Sequence, residues 1–221
     1  YTFTPDTNHL ITLIETSNKG CLDTALRIIT VHSKPTPNFT LNDSAQCLRQ
    51  NNYIFTNTSG IRKGTLTYNW SFNDFTTSTS ISPTHKYKKW AFYRPVLKVT
   101  SEKGCTDTFG RLIKVNDMPL VDLNTNDSTQ CVNNQSFVFK SLSTIGEGSF
   151  ASSWVISDGF NSNLKTFTRF FPKDTIYDIK LVEKTNFGCM DSVTEQFVTY
   201  PKPMENYDIN AVKQCLYQNK Y

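Results

Sequence analysis

Apolar and polar residues alternate in short runs along this chain, and clusters of Gly, Asn, Asp, Ser and Thr separate the runs. Tyr53-Ile54-Phe55 and Phe137-Val138-Phe139 mark one strand, and Tyr68-Asn69-Trp70-Ser71-Phe72 and Ser153-Trp154-Val155-Ile156 mark the next, with each Trp expected in a core. Pro95-Val96-Leu97-Lys98-Val99 and Tyr177-Asp178-Ile179-Lys180-Leu181-Val182 form a later strand. A turn at Glu102-Lys103-Gly104 then reverses the chain into Arg111-Leu112-Ile113-Lys114-Val115. Alternation with a period of two places one side of each strand in a core and the other in water. No apolar stripe at helical spacing runs long enough to compete, so the fold class is all-β.

The pattern repeats. The six cysteines, Cys21, Cys47, Cys105, Cys131, Cys189 and Cys215, are spaced by 26, 58, 26, 58 and 26 residues, a period of 84. A shift by that period brings Trp70 onto Trp154, Phe55 onto Phe139, Asp74 onto Asp158, Tyr93 onto Tyr177 and Gln46 onto Gln130, with no gap. Gly20-Cys21-Leu22-Asp23-Thr24 recurs as Gly104-Cys105-Thr106-Asp107-Thr108 and as Gly188-Cys189-Met190-Asp191-Ser192. A fixed period of this kind signals tandem structural units. Strand density, a buried Trp and the unit length fit a small Greek-key β-sandwich. In this register residues 1–34 carry the last two strands of one repeat, 35–118 and 119–202 are complete domains, and 203–221 open a further one. Two strands alone bury no core, so the terminal pieces are expected to need residues from elsewhere.

Composition narrows the class. Of 221 residues, 19% are charged and 13% aromatic, with 16 Phe and 10 Tyr, which suits half-buried strands and excludes a disordered chain. The net charge of +4 is small, and the densest basic run, His85-Lys86-Tyr87-Lys88-Lys89, is too short for a nucleic-acid footprint. It reads as a solvated strand edge, where Lys discourages unwanted pairing. No run approaches a membrane span, so no membrane insertion is expected.

These residues resemble the PKD domain, an immunoglobulin-like sandwich. Its Trp-Asp-Phe-Gly-Asp-Gly stretch is similar to Trp70-Ser71-Phe72-Asn73-Asp74-Phe75 and to Trp154-Val155-Ile156-Ser157-Asp158-Gly159. Its later His-x-Tyr segment is similar to His85-Lys86-Tyr87, followed by Ala91-Phe92-Tyr93 and then Val96 and Leu97. Ala91 and Phe75 stand where the family has Gly, and Arg169 replaces the His in the second copy. The resemblance implies tandem immunoglobulin-like PKD sandwiches over the whole chain.

An even cysteine count at repeated positions implies disulfides in an oxidising, extracellular setting. Zinc is disfavoured, since Cys-x-x-Cys pairs are missing and His9, His32 and His85 lie apart. Strand direction puts Cys47 at the end where a domain's chain exits and Cys105 at the end where it enters. Disulfide Cα atoms must approach within about 7 Å. The favoured in-chain pair is therefore Cys47–Cys189, a staple across a domain junction that would stiffen the array, leaving Cys105 and Cys131 for other repeats. Pairs within domains (Cys47–Cys105 and Cys131–Cys189) and pairs of neighbours 26 apart remain alternatives.

Signature motifs of hydrolases, metalloproteases and nucleotide-binding enzymes do not occur, and no cofactor is implied. Asp74 and Asp158 are expected to cap turn amides rather than hold calcium, and Asp23, Asp107 and Asp191 to pin the turn after Gly-Cys. PKD arrays with Gly-Cys-x-Asp repeats resemble surface proteins of the Bacteroidota, including gliding adhesins and type IX secretion cargo. That resemblance implies O-glycosylation within Asp-Ser/Thr motifs, here at Thr24, Ser44, Ser128, Thr175 and Ser192. Three functions follow as expectations. The first is a structural or adhesive array on a bacterial surface or in a secreted filament, partnered by neighbouring repeats or copies of itself. The second is a module that holds surface polysaccharide on exposed aromatics such as Trp90 and Phe92. The third is an accessory domain of a hydrolase.

Overall fold

A computed structural model describes residues 2–132 and 135–206 of the chain. It contains two compact units, Tyr1–Met118 and Pro119–Tyr221. Among the described residues every long element is a strand, and one 3-10 turn spans Leu48–Gln50.

The second unit shows the plain form of the domain. Strands β13 (Leu123–Thr125), β15 (Phe137–Ser141) and β18 (Thr166–Arg169) make one sheet in the order β13-β15-β18. Strands β14 (Thr129–Cys131), β16 (Phe150–Ile156), β17 (Asn161–Ser162), β19 (Ile176–Thr185) and β20 (Met190–Tyr200) make the other, in the order β14-β20-β19-β16-β17. The core between them contains Phe137, Phe139, Trp154, Ile156, Phe171, Tyr177, Ile179, Leu181 and Phe197. The Trp154 indole donates to the carbonyl of Leu164 at 2.8 Å, so its polar group is satisfied.

In the first unit, β3 (Phe39–Leu41), β5 (Tyr53–Asn57) and β8 (Thr84–His85) form the counterpart three-stranded sheet. The larger sheet is split. Strands β4 (Ala45–Cys47), β9 (Ala91–Tyr93) and β12 (Ile113–Asn116) form one piece. Strands β6 (Leu66–Ser71), β7 (Thr77–Ser78), β10 (Val96–Ser101) and β11 (Thr106–Gly110) form the other. Pro95 explains the split. It stands at the position of Ile179, which pairs with Glu195 on one side and Ile156 on the other. Proline has no N–H for either ladder, so the strand breaks there. The expected strand Pro95–Val99 therefore starts at Val96. The expected strand Arg111–Val115 begins only at Ile113, in β12, and a separate strand, β11, precedes it, with Arg111 and Leu112 between the two. In the second unit β20 runs through unbroken.

The two cores agree position by position: Tyr53 with Phe137, Phe55 with Phe139, Trp70 with Trp154, Tyr87 with Phe171, Leu97 with Leu181 and Ile113 with Phe197. Residues 7–31 form a separate hairpin of β1 (Thr7–Thr16) and β2 (Leu22–Val31), with Leu10, Leu13, Ile14, Leu22, Leu26 and Ile28 exposed.

Candidate functional site

The cysteines occupy two local structures, each rebuilt from the same residues in every copy. The first is the hairpin turn that carries Cys21, Cys105 and Cys189. Ser101 N–H donates to the Cys105 carbonyl at 2.9 Å, Gly104 N–H donates to the Ser101 carbonyl at 2.9 Å, and Cys105 N–H donates to the Ser101 hydroxyl at 3.1 Å. Ser17 makes the same three bonds around Cys21, at 2.9, 2.9 and 3.1 Å, and Thr185 makes them around Cys189, at 2.8, 2.9 and 3.0 Å. The glycine before each cysteine sits at φ of +80 to +83°, the left-handed position such a turn needs. The hydroxyl at Ser17, Ser101 and Thr185 is thus the clamp. Asp23, Asp107 and Asp191 instead accept the N–H of the next residue, at 2.7, 2.9 and 2.9 Å, and Asp107 also pairs with Lys34 at 3.0 Å. This corrects the expectation that those carboxylates pin the turn. The clamp hydroxyls share the 84-residue period, a signal the sequence offered.

The second structure carries Cys47 and Cys131 at the ends of β4 and β14. Cys47 lies opposite Asn116 in a parallel pairing with β12, and Cys131 lies opposite Tyr200 in a parallel pairing with β20. An amide scaffold holds each strand. The Gln46 side-chain oxygen accepts from Asn52 N–H at 2.6 Å, and that of Gln130 accepts from Ser136 N–H at 2.6 Å. Asn42 and Asn126 accept from Ile54 and Val138 at 2.9 and 2.8 Å. Lys114 and Val198 each donate an N–H, at 2.8 Å, to the carbonyls of Ser44 and Ser128. Cys47 therefore lies beside the strand by which the first domain's chain leaves.

Cys47 and Cys189 are each in the disulfide state. Cys21, Cys105 and Cys131 are free thiols, exposed at Cys21 and Cys131 and half-buried at Cys105. The within-domain pairs Cys47–Cys105 and Cys131–Cys189 are therefore not made. Cys215 lies outside the described residues.

The repeated acids cap turns. Asp74 accepts the N–H of Thr76 and Asp158 that of Phe160, both at 3.1 Å. Burial pushes the Asp74 carboxyl up, but hydrogen bonds from Thr76 and His85 outweigh it and hold it below its ordinary range. His85 also stacks on Phe72 with ring centroids 4.1 Å apart. His85 and Tyr87 thus turn inward from the basic run, while Lys86, Lys88 and Lys89 are exposed in the loop that follows edge strand β8, not on a strand edge as expected. Among the described residues no group of three His, Cys, Asp or Glu is placed to hold a metal, and no helix is long and apolar enough to cross a membrane.

Two exposed aromatics stand out. Trp90 is 40% exposed and Phe92 59% exposed, and Lys114 lies over the Phe92 ring at 5.0 Å. Their counterparts in the second domain are Asp174 and Ile176, so the fold itself does not require them. Thr24, Ser44, Ser128, Thr175 and Ser192 are all exposed.

Paired three- and five-stranded sheets around a buried Trp define an immunoglobulin-like β-sandwich. Residues 32–114 match the family model described as PKD domain. The curated relatives include the pre-pro-metalloprotease PrtV of Vibrio cholerae, 30% identical over 143 residues. That alignment takes in 62% of this chain, which spans 15% of the relative's length. Similar solved structures include the PKD1 domain of the same metalloprotease (34% identity, 38% of this chain, 98% of that chain, TM-score 0.34). The PKD1 domain of Vibrio anguillarum Epp is also similar (29% identity, 38% of this chain, 95% of that chain, TM-score 0.34). The N-terminal eight immunoglobulin domains of the Down syndrome cell adhesion molecule share the fold at 10% identity, over 87% of this chain and 28% of that one, with a TM-score of 0.50.

Proposed function

We propose that this chain is a structural, adhesive segment of an extracellular protein, non-catalytic, whose tandem PKD-like domains are tied by a Cys47–Cys189 disulfide. The observation that carries it is the gap-free 84-residue period, which keeps both cysteine structures intact while other positions vary. Cys47 and Cys189 are in the disulfide state and the other three described cysteines are not, which supports this pairing. A covalent tie between successive domains limits their bending, a property useful to a stalk or filament. Digestion under non-reducing conditions should release one peptide pair joining Cys47 to Cys189. Recovery of either cysteine as a free thiol from oxidised protein overturns the pairing.

The finer reading, a surface adhesin or filament of the gliding, type IX-secreted kind, is supported by the Gly-Cys-x-Asp turns. Five exposed hydroxyls in Asp-Ser/Thr motifs support a glycoprotein. An intact mass equal to the bare polypeptide from the native host removes the glycan.

A second reading is a polysaccharide-binding accessory module, favoured by the exposure of Trp90 and Phe92 in only one of the two domains. The relationship to a metalloprotease precursor supports an accessory role beside a catalytic domain. Retardation of the protein in gels containing bacterial polysaccharides, lost in Trp90→Ala and Phe92→Ala, is the test.

A further inference from the structure

The 84-residue period supplies an internal control for one surface of the first domain. Trp90, Phe92 and Arg94 are exposed while Ala91 is half-buried and Tyr93 buried, so the three side chains share the outward side of β9 and its flanks. At about 3.3 Å per residue, Trp90 to Arg94 covers about 13 Å. Strand β9 is the edge of its sheet, and Phe92 lies opposite Lys114, whose ammonium is 5.0 Å from the Phe92 ring centre. Lys88 and Lys89 are exposed immediately before Trp90. Among the described residues no carboxylate pairs with Lys88, Lys89 or Arg94. The two acids of the flanking turns are engaged elsewhere: Asp43 accepts the Ala45 N–H at 3.1 Å, and Asp74 takes Thr76 and His85. Neither neighbouring copy keeps this surface. One period later Asp174, Ile176 and Asp178 stand for Trp90, Phe92 and Arg94, and one period earlier Asp6, Asn8 and Leu10 do. Aromatic rings and cations are thus gained together, at one place, in one copy.

We infer that this face binds an acidic polysaccharide, a chain of uronate sugars, with Trp90 and Phe92 under the rings and Lys88, Lys89 and Arg94 on the carboxylates. The inference rests on the polysaccharide reading proposed above and adds to it the charge of the ligand. A pyranose ring presents a C–H face that packs on an aromatic ring, and Trp and Tyr-like side chains offer large area at one exposed position. The Arg94 guanidinium donates a planar fork of N–H groups that matches a carboxylate, and the two ammonium groups act as point charges beside it. Lys114 over Phe92 helps to hold that ring in place. An uncharged glycan would use the aromatics and leave the cations idle. A merely solvated loop would use the lysines and need no exposed Trp. A nucleic acid asks for a longer basic stripe than this one.

The experiment measures binding of the full chain to three immobilised probes: alginate, the same alginate with its carboxylates reduced to alcohols, and single-stranded DNA. The variants are Trp90→Ala, Phe92→Ala and the triple change Lys88→Gln, Lys89→Gln and Arg94→Gln. All five side chains are exposed, and unchanged thermal melts confirm that each variant keeps the fold. Alginate should bind, and its Kd should weaken about tenfold in the triple variant, as the loss of three exposed ion pairs predicts. Trp90→Ala and Phe92→Ala should each weaken it to a similar degree. Salt at about 1 M, where the screening length is about 3 Å, should reproduce the effect of the triple change. Reduced alginate should bind about tenfold more weakly than alginate and respond to the aromatic variants alone. If the two alginates bind equally, this inference fails while the polysaccharide reading stands; if neither binds, both fail. Alginate binding that ignores Trp90→Ala and Phe92→Ala, or DNA binding as tight as that of alginate, reduces the face to a general attraction for polyanions and overturns the inference.

Discussion

His85 Nε2 lies 2.7 Å from Asp74 Oδ2, and 84 residues later Arg169 Nη2 lies 2.7 Å from Asp158 Oδ2. Two different side chains close the same turn against the same acid, so the pair holds the β6–β7 turn to the strand that follows. Asp74→Ala removes the Thr76 amide cap, the Thr76 hydroxyl bond and the His85 contact. It should destabilise the first domain by about 2 kcal/mol near neutral pH. Because the Asp74 carboxyl is lowered on folding, its contribution is complete above its ordinary value of 3.8 and fades as pH falls through the lowered one. Hydrogen exchange followed by mass spectrometry, which separates the two domains, should show the penalty shrinking in that acid range.

Alkali should open the first domain before the second. Burial pushes the Tyr53 hydroxyl up to about 12, and it pushes that of Tyr87 up further. Tyr53 donates to the Lys114 carbonyl at 2.6 Å and Tyr87 to that of Phe72 at 3.0 Å. The folded state holds these protons more tightly than the unfolded chain. The stability they represent is whole below pH 10 and is lost as pH rises toward 12. Phe137 and Phe171 stand at these positions in the second domain. Exchange rates across pH 9 to 12 should rise first in residues 35–118. Tyr87→Phe should narrow the gap.

Much of this was legible in the sequence because the repeat served as its own alignment. Trp70 and Trp154 are in the cores as expected, and Asp74 and Asp158 cap their turns. Pro95 was visible but its consequence was not: alternation alone cannot say that a strand pairs on both sides, and only then does a missing N–H split a sheet. The clamp hydroxyls of Ser17, Ser101 and Thr185 do not stand out in the sequence because the neighbouring Asp is the commoner turn residue. Exposure of Trp90 and Phe92 could not be read from a pattern in which an aromatic is as readily packed as displayed.

The second domain buries a carboxylate where the first has an aliphatic side chain. Glu183 is fully buried at the position of Val99, and its Oε1 accepts from Ser141 at 2.7 Å and Ser152 at 2.9 Å. Asn57 and Tyr68 stand at those serine positions in the first domain, so this network belongs to one copy only. Ser141→Ala should cost the second domain about 2 kcal/mol by leaving a buried acceptor short of a donor. Adding Glu183→Val should recover most of that loss, since apolar replacement of a whole buried polar group is nearly neutral. Denaturant midpoints of the single and double variants decide it, and a double variant no more stable than Ser141→Ala contradicts the account.

Phe75 combines a left-handed backbone, φ +68°, with a fully exposed ring, at the position where the second domain has Gly159 at φ +91°. A bulky side chain in that region costs about 1–2 kcal/mol, and the exposed ring recovers none of it by packing. Phe75→Gly should therefore stabilise the first domain. The added freedom of glycine in the unfolded chain offsets roughly 0.5–1 kcal/mol of the relief. The expected net gain is about 0.5 kcal/mol, with Phe75→Ala closer to neutral because alanine keeps the strained backbone. Paired thermal melts of the two variants, referenced to the unaltered second domain, measure the difference. A loss of stability in Phe75→Gly would mean that the ring has a packing role its exposure does not reveal.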